Sequence, residues 1–245
     1  MRHPIANYSK ERTAIQALLN DECEQRIMLL RGPSGSGKTT LVDEALAGLP
    51  NGKTARIQLR TCAVGVEEIL QRCGEELSSQ TTSPGIEGNV QFGWRNSIKN
   101  INIYRGEPSR EALTKAFFDH VKRLDHEVLI AFDTFEQGTG EVRAWISGPF
   151  LARVVHFRQV RVVVAGRKVP NERNLEWGRH SQTLHLTGVP DPDEWLAVVS
   201  EMGRRYPDGY PDGRTYMKGI CDAFKGCPAD IINSITGLPR GNGLP

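Results

Sequence analysis

Residues 26–43 read Arg-Ile-Met-Leu-Leu-Arg-Gly-Pro-Ser-Gly-Ser-Gly-Lys-Thr-Thr-Leu-Val-Asp. The pattern G-x-x-x-x-G-K-[ST] lies within this stretch and is formed by Gly32, Gly37, Lys38 and Thr39. A short apolar run at 27–30 is typical of a buried strand, and good helix formers follow the pattern. The stretch therefore predicts a sharp turn that leads from a strand into a helix.

A turn of this kind is suited to binding phosphate. The backbone N–H groups at the start of a helix have no partner within it, and the helix dipole is positive at that end. Lys38 would reach the β- and γ-phosphates, and the Thr39 hydroxyl would bind Mg²⁺. In this context the motif predicts a P-loop NTPase. The predicted nucleotide-binding residues of the loop are Gly32, Pro33, Ser34, Gly35, Ser36, Gly37, Lys38, Thr39 and Thr40.

The composition of the 245-residue chain is that of an ordinary globular protein, with 38% hydrophobic and 24% charged residues. A formal net charge of only +2 gives no overall field that favours nucleic acid. Local basic clusters, such as Arg204–Arg205 and the arginines of 161–167, are interpreted as solvated surface. Nucleic acid is therefore a less favoured partner.

Features of a membrane or secreted protein are not expected. No apolar run approaches the ~18 to 20 residues that cross a bilayer, and the N-terminus lacks a signal-peptide core. The five cysteines form no C-x-x-C pair. They are interpreted as small, mostly buried hydrophobic residues, rather than as a zinc site or a set of disulfides. A cytoplasmic protein without a membrane partner is the expectation.

Beyond the P-loop, apolar runs alternate with helical patterns. Further strands are predicted at 55–59, 128–132, 160–165 and 183–186, with helical stripes between them. This alternation predicts an α/β fold, with a five-stranded, mainly parallel sheet flanked by helices. Residues 1–190 form the predicted ATPase core. Residues 191–245 carry three more helical stripes and form a predicted small helical lid.

Two segments interrupt this regular pattern. Gly148-Pro149 should break or kink a helix predicted at 144–155. Residues 78–108 are rich in Ser, Thr, Gly and Asn, and they are expected to be mostly loop with a short element at 98–104. The sequence leaves open whether this loop is a flexible lid or a partner-binding insertion.

Three residues outside the P-loop are candidates for chemistry. Asp133 directly follows the apolar run at 128–132, where the end of a strand would place it beside Thr39 and Mg²⁺. Glu136 could curl back over that strand end and orient the attacking water as general base; the alternative is an exposed loop glutamate. Arg167 ends another predicted strand and could stabilise the γ-phosphate; the alternative is an ordinary surface arginine.

The motifs together resemble those of a known class. Asp-Thr-Phe-Glu-Gln at 133–137, Gly-Arg at 166–167 and Gly-x-Pro at 226–228 resemble the STAND class of signal-transduction ATPases, which is close to AAA+ and origin-recognition-type ATPases. The resemblance extends from about residue 7 to residue 238. Its phosphate-binding motifs are specific for the superfamily and only moderately specific for STAND.

The resemblance implies further contacts and a preference for ATP. In this class the Gly-x-Pro segment lies over the nucleotide base, which implies Pro228 as a nucleotide contact. The segment before the first helix often packs against adenine, which points loosely to Ile5 and Tyr8. No guanine-reading Asn-Lys-x-Asp motif follows Asp133, so adenine is expected.

Departures from the class favour a slow switch. STAND proteins usually continue into a winged-helix module and a large sensor, so a reduced ATPase core, or a sensor and effector on separate chains, is the expectation here. The acids are split as Asp133 and Glu136, whereas AAA+ motors more often have adjacent Asp-Glu. We expect an ATP- and Mg²⁺-dependent, slowly hydrolysing switch that controls self-association or a partner effector.

Other functions stay open at this point. A nucleic-acid loader or transposition regulator would need a basic groove, and a steep salt dependence of DNA binding would support it. A non-hydrolysing, nucleotide-dependent scaffold is the interpretation favoured if Glu136→Gln does not change turnover. A small-molecule kinase would need a pocket for a phospho-acceptor, which is not visible in the sequence.

Overall fold

The computed structural model describes residues 8–19, 23–49, 54–59, 65–78, 109–124 and 126–240. Within these ranges one sheet is formed by β1 Ile27–Arg31, β2 Thr54–Gln58, β3 Val128–Asp133, β4 Val160–Gly166 and β5 Ser181–His185. The strand order is β2-β3-β4-β1-β5, and each neighbouring pair is parallel. The predicted α/β fold with a five-stranded sheet is confirmed. The described sheet is parallel throughout, where the sequence predicted a mainly parallel one.

The strand order brings three chain segments to one edge of the sheet. The carboxyl end of β1 leads into the phosphate-binding motif, that of β3 carries Asp133, and that of β4 leads to Arg167. In an open parallel sheet the crevice outside the carboxyl ends of the strands is where ligands bind. Both β3 and β4 are buried along their whole length, because helices cover the two faces of the sheet.

The helices are α1 Ser9–Leu18, α2 Lys38–Ala47, α3 Val66–Ser78, α4 Arg110–Val121, α5 Gly140–Trp145, α6 Leu151–Val154, α7 Asp193–Glu201, α8 Gly213–Ala223 and α9 Pro228–Thr236. Side-chain caps fix the starts of three of them, and at α5 the Thr139 hydroxyl accepts a hydrogen bond from the Val142 N–H. Ser109 accepts a hydrogen bond from the Ala112 N–H at α4, and Asp212 accepts one from the Thr215 N–H at α8. Pro228 is the first residue of α9, where its missing N–H costs nothing.

Alternate side chains of the strands enter two different hydrophobic cores, because successive residues of a strand point to opposite faces. The first core joins one face of the sheet to α3, α4, α5 and α6. At the end of β3, Phe132 packs edge-on against Phe150, with ring centroids 5.2 Å apart. This contact fixes the strand end that carries Asp133. The strand residues of the first core are Ile27, Leu29, Ala55, Ile57, Val128, Ile130, Phe132, Val160, Val162 and Val164.

The second core lies on the opposite face and joins the sheet to α1, α2 and the C-terminal helices. Its strand residues are Met28, Leu30, Leu129, Ala131, Val163 and Ala165. Its residues from the C-terminal segment include Trp195, Val198, Val199, Met217, Cys221, Ile231 and Ile235. The three C-terminal helices therefore face the same core as the P-loop helix α2, although Met217 and Cys221 are the buried residues of α8 and Phe224 of the predicted stripe is exposed.

Two details of the predicted elements are corrected. The break that was one of the two outcomes expected at Gly148-Pro149 does not occur: a single wider π-helical turn, Ile146–Phe150, joins α5 to α6, and the kink stays a prediction. Proline has no N–H to donate and its ring crowds the preceding turn, and a wider turn accommodates both. The fifth strand is Ser181–His185, which starts two residues before the predicted 183–186. The predicted loop at 78–108, apart from Ser78, and Ile5 lie outside the described residues.

Arg161 corrects the interpretation of the basic cluster as solvated surface. Its side chain is 1% exposed, and its Nε donates to the Leu18 carbonyl at 2.8 Å. Its Nη2 lies 3.4 Å from a carboxylate oxygen of Glu127. This arginine thus fastens the end of α1 to β4.

Among the residues that the structure describes, no helix combines the length and apolar character that crossing a bilayer requires.

Candidate functional site

The phosphate-binding loop runs from the end of β1 to the start of α2. Gly35 and Gly37 have φ of +78° and +84°, in the left-handed region that favours glycine. Gly37 is the residue that precedes α2, so this conformation sets the entry of the chain into the helix. The Tyr8 hydroxyl donates to the Ser36 carbonyl at 2.6 Å, and burial raises the pKa of Tyr8 to about 12. The hydrogen bond from the buried Tyr8 therefore fixes the backbone of the loop at Ser36.

Lys38 is folded back onto its own loop. Its Nζ donates to the carbonyl oxygens of Gly32 at 2.9 Å and Pro33 at 2.5 Å, and lies 3.3 Å from the Ser36 hydroxyl. Burial lowers the pKa of Lys38, while the nearby carboxylates Glu136 and Asp133 oppose that shift. An anion that binds in this loop would compete with these carbonyl oxygens for the ammonium group.

Thr39 and Asp133 are brought together across the edge of the sheet. The Thr39 hydroxyl donates to Asp133 Oδ2 at 2.9 Å, and the Asp133 side chain is 1% exposed. A carboxylate and a hydroxyl are hard oxygen donors of the kind that Mg²⁺ takes, with phosphate and water completing its octahedron. No cluster of three or more His, Cys, Asp and Glu side chains suited to a metal occurs within the described ranges. The Thr39 hydroxyl and the Asp133 carboxylate thus fit Mg²⁺ bound together with phosphates.

Sequence reasoning did not find the arginine that contacts this aspartate. Arg56 of β2 places Nη2 3.2 Å from Asp133 Oδ2, and its Nη1 pairs with Asp43 of α2. Nothing in the pattern of residues 54–58 signals the contact, since it depends on β2 lying beside β3.

Glu136 is held by Arg167, so the structure brings two predicted catalytic residues into direct contact. The backbone N–H of Arg167 donates to Glu136 Oε2, and its Nε donates to Oε1, both at 2.9 Å. Thr134, with φ of +60°, turns the chain back after β3 into the short 3₁₀ turn that carries Glu136. A Cβ on Gly166 would lie 2.6 Å from Glu136 Oε2 and 2.6 Å from the backbone carbonyl oxygen of Lys168, and the backbone contact requires glycine there.

This pairing sets the charge of Glu136. Burial alone raises the pKa of the carboxyl, but hydrogen bonds from its own backbone and from Arg167 outweigh it, and the net shift is downward. The Glu136 side chain is 11% exposed and that of Arg167 is 58% exposed. The carboxylate is positioned in its ionised form, and each of its oxygens accepts one hydrogen bond from Arg167.

The C-terminal helices reach the site through closely packed backbone. The Val189 N–H donates to the Gly226 carbonyl at 2.8 Å, and a Cβ on Gly226 would lie 2.7 Å from the Pro190 nitrogen. Trp195 is fully buried and donates from Nε1 to the Val189 carbonyl at 2.8 Å. The segment that enters the lid is therefore fixed to the loop before α9.

The start of α9 contacts the phosphate-binding loop itself. The Ala229 N–H donates to the Gly35 carbonyl at 3.1 Å, and a Cβ on Gly35 would lie 2.9 Å from the Cβ of Ala229. Pro228, the predicted nucleotide contact, is buried beside this junction. The phosphate-binding loop and the start of α9 are thus in direct contact.

These parts surround one cleft of about 700 Å³, within the range usual for small-molecule sites. The predicted residues that line it are Ser34, Gly35, Gly37, Lys38, Thr39, Thr40, Asp133, Glu136, Arg167 and Pro228. Gly32, Pro33 and Ser36 belong to the loop but do not line the cleft, and neither does Tyr8. Lining residues that were not predicted as site residues are Gln58, Thr134, Gln137, Gly166, Trp195, Ala229, Ile232 and Asn233. Trp195 was visible only as a member of a helical stripe.

Comparison with known proteins places the fold. No family model matches the sequence, and no curated protein matches it. The structure is similar to Cdc6p from Pyrobaculum aerophilum, with a TM-score of 0.56 and 13% identity over 95% of this chain and 61% of that one. It is also similar to the Orc1 protein of Aeropyrum pernix, solved in complex with DNA, with a TM-score of 0.55 and 14% identity over 95% of this chain and 59% of that one. The fold is thus similar to that of these Cdc6 and Orc1 proteins. The chain spans about three fifths of the length of these two proteins.

Proposed function

We propose that this protein is an ATP-binding, slowly hydrolysing molecular switch of the STAND kind. The observation that carries the proposal is the meeting of the P-loop, Asp133, Glu136 and the start of α9 around one cleft. A phosphate cradle alone would support nucleotide binding. The acid beside Thr39, a second acid that could orient water, and a lid in contact with the loop support turnover coupled to movement.

Each residue has a distinct role in this proposal. The loop N–H groups and Lys38 bind the phosphates of ATP, and Thr39 and Asp133 hold Mg²⁺. The metal, when bound, supplies positive charge that neutralises the phosphate oxygens during transfer. Glu136 accepts a proton from the attacking water, and Arg167 donates to the γ-phosphate.

Slow turnover follows from the pairing of Glu136 with Arg167. A carboxylate whose lone pairs accept two hydrogen bonds, and whose pKa is lowered, is a weak proton acceptor. Departure of Arg167 from Oε1 would free a further acceptor position on that oxygen for water. The γ-phosphate offers the guanidinium a competing anion, so binding of ATP itself would release the base.

The lid supplies the output of the switch. Contact between the Ala229 N–H and the Gly35 carbonyl links lid position to loop conformation. ATP and ADP must favour different lid positions by on the order of 1–3 kcal/mol, the usual range of coupling free energies. The changed surface would then control self-association or a separate effector.

Turnover and mass measured together test this proposal. We expect slow, Mg²⁺-dependent ATP hydrolysis by the wild type, and loss of turnover with an ATP-dependent change in mass by light scattering for Glu136→Gln. Binding of nucleotide without any turnover or change in mass, in both proteins, would replace the switch with a non-hydrolysing scaffold. Failure of the wild type to bind ATP would contradict both the switch and the scaffold.

DNA binding is a second candidate, favoured by the likeness to an Orc1 protein that was solved with DNA. That likeness concerns the fold, and the formal net charge of this chain is only +2. DNA binding that weakens steeply as salt increases, and that requires ATP, would support a nucleic-acid loader. Binding that is absent at low salt would dismiss it.

A further inference from the structure

Arg56 occupies the side of Asp133 that a metal would need. Asp133 Oδ2 accepts from the Thr39 hydroxyl at 2.9 Å and from Arg56 Nη2 at 3.2 Å, while Oδ1 accepts from the Thr134 N–H at 2.8 Å. The oxygen beside the metal-binding hydroxyl is therefore the one that the guanidinium holds. A second carboxylate, Asp43, takes the other arm of the same guanidinium.

We infer that Arg56 competes with Mg²⁺ for Asp133, and that Asp43 is the acceptor that retains Arg56 when the metal binds. The inference rests on the proposed function, since it concerns the metal that accompanies ATP. It makes Arg56 a positioning residue that sets how strongly nucleotide binding depends on Mg²⁺.

Burial explains why a protein cation is present at this oxygen. The Asp133 side chain is 1% exposed, and a buried carboxylate is costly unless it is paired and hydrogen-bonded. Arg56 supplies the positive charge while no metal is bound. Two cations at one carboxylate oxygen repel each other, so binding of Mg²⁺ weakens the contact with Arg56.

The surroundings of Arg56 allow it to move. Within the part of the chain that the structure describes, its Nε is buried without a hydrogen-bond partner, so the guanidinium is held only through its two outer nitrogens. Asp43 is 48% exposed and lies on α2, one turn after Thr39. A small rotation toward Asp43 keeps one ion pair intact and releases Asp133.

The geometry predicts opposite effects for the two partners of this contact. Arg56→Met removes the competitor, so Mg²⁺ should strengthen nucleotide binding more than it does in the wild type. Asp43→Asn removes the alternative acceptor and leaves Arg56 on Asp133. Mg²⁺ should then strengthen nucleotide binding less than it does in the wild type. The double variant should behave like Arg56→Met, because Asp43 acts only through the arginine.

The test is the ratio of two dissociation constants for a fluorescent ATP analogue, the one in EDTA divided by the one in saturating Mg²⁺, measured with the full chain. We expect Arg56→Met to raise this ratio by about tenfold, which corresponds to about 1.4 kcal/mol. Asp43→Asn should lower it. Arg12→Met is the matched control, because it breaks an arginine–carboxylate pair with Glu44, next to Asp43 on the same helix, and leaves the ratio unchanged.

The outcomes separate this inference from the proposed function. If the wild type does not bind the analogue, both are overturned. If it binds but the ratio is the same in all variants, or if Arg56→Met and Asp43→Asn shift it in the same direction, only the competition is overturned. The backbone N–H of Arg56 donates to Glu76 Oε2, so that contact of β2 survives the substitution. Should Arg56→Met still fail to fold, the effect of Asp43→Asn on the ratio decides. A lower ratio than in the wild type supports the competition, and an unchanged or higher ratio overturns it.

Discussion

At the scale of single residues, the groups proposed to act on ATP are each held by a partner within the chain. Lys38 donates to carbonyl oxygens of its own loop, and Glu136 accepts two hydrogen bonds from Arg167. Each contact must be exchanged for a contact with nucleotide or water. The cost of that exchange is a physical reason for slow turnover that does not require any residue to be misplaced.

The pair between Glu136 and Arg167 gives a prediction for stability as a function of pH. Folding lowers the pKa of Glu136 from its ordinary value of 4.5. Glu136 therefore contributes fully to the free energy of unfolding above the pKa that it has in the unfolded chain. This contribution is lost as the pH falls through the pKa that it has in the folded protein. Arg167→Met should reduce the free energy of unfolding at pH 7 by at most about 1 kcal/mol, because Arg167 is largely exposed. Urea unfolding should show this difference at pH 7 and no difference at strongly acidic pH. A difference that persists in acid would assign the effect to packing.

The same residues show what sequence could and could not predict at this scale. The sequence placed Asp133 at the end of an apolar strand and Glu136 three residues later, as the structure has them, while their proposed roles stay predictions. Arg56 was not predictable, because it lies 77 positions from Asp133 and meets it only through the neighbouring positions of β2 and β3. Pairs made across strands depend on strand order, which local patterns do not encode.

At the scale of elements, the phosphate-binding loop depends on backbone conformations that other residues rarely adopt. Gly35 has φ of +78°, and an added Cβ would lie 2.9 Å from Ala229 and 3.1 Å from Cys227. We expect Gly35→Ala to reduce the free energy of unfolding by about 1–3 kcal/mol and to weaken ATP binding.

A helical glycine provides the control for this prediction. Gly219 lies within α8, and an added Cβ there would meet nothing within 4 Å. Gly219→Ala should leave ATP binding unchanged and should stabilise the protein by about 0.4–1 kcal/mol. Equal losses of stability in the two variants, measured by urea unfolding, would contradict the conformational argument at Gly35.

Elements were the best predicted level, since apolar runs and helical stripes are local signals. The strands at 27–30, 128–132 and 160–165 were each placed within one residue at either end. The π-helical turn at Gly148-Pro149 was not predicted, because a proline in a helical pattern indicates only the loss of one backbone hydrogen bond. The pattern does not indicate whether the helix bends, ends or forms a wider turn. Here Phe150 packs against Trp145 and Phe118 in the first core, and this tertiary contact favours the wider turn over a break.

At the scale of the whole molecule, the proposed lid shares its hydrophobic core with the sheet. Trp195, Met217 and Ile231 belong to the same cluster of buried residues as Leu30 and Val163. The change in sequence character near residue 191 indicated a separate subdomain, but periodicity shows only that a helix has an apolar face. It does not show what that face packs against.

The shared core predicts that the lid and the sheet unfold together. Met217 is fully buried in α8, and Met217→Ala should reduce the free energy of unfolding by about 2–5 kcal/mol. Because the second core is continuous, the loss should appear equally in far-UV circular dichroism, which reports all helices and strands, and in tryptophan fluorescence. ATP at about a hundred times its dissociation constant should restore about 2.7 kcal/mol to that single transition. If Met217→Ala instead creates an early transition that leaves a later one at the wild-type midpoint, the lid folds independently and its position can change without disturbing the sheet.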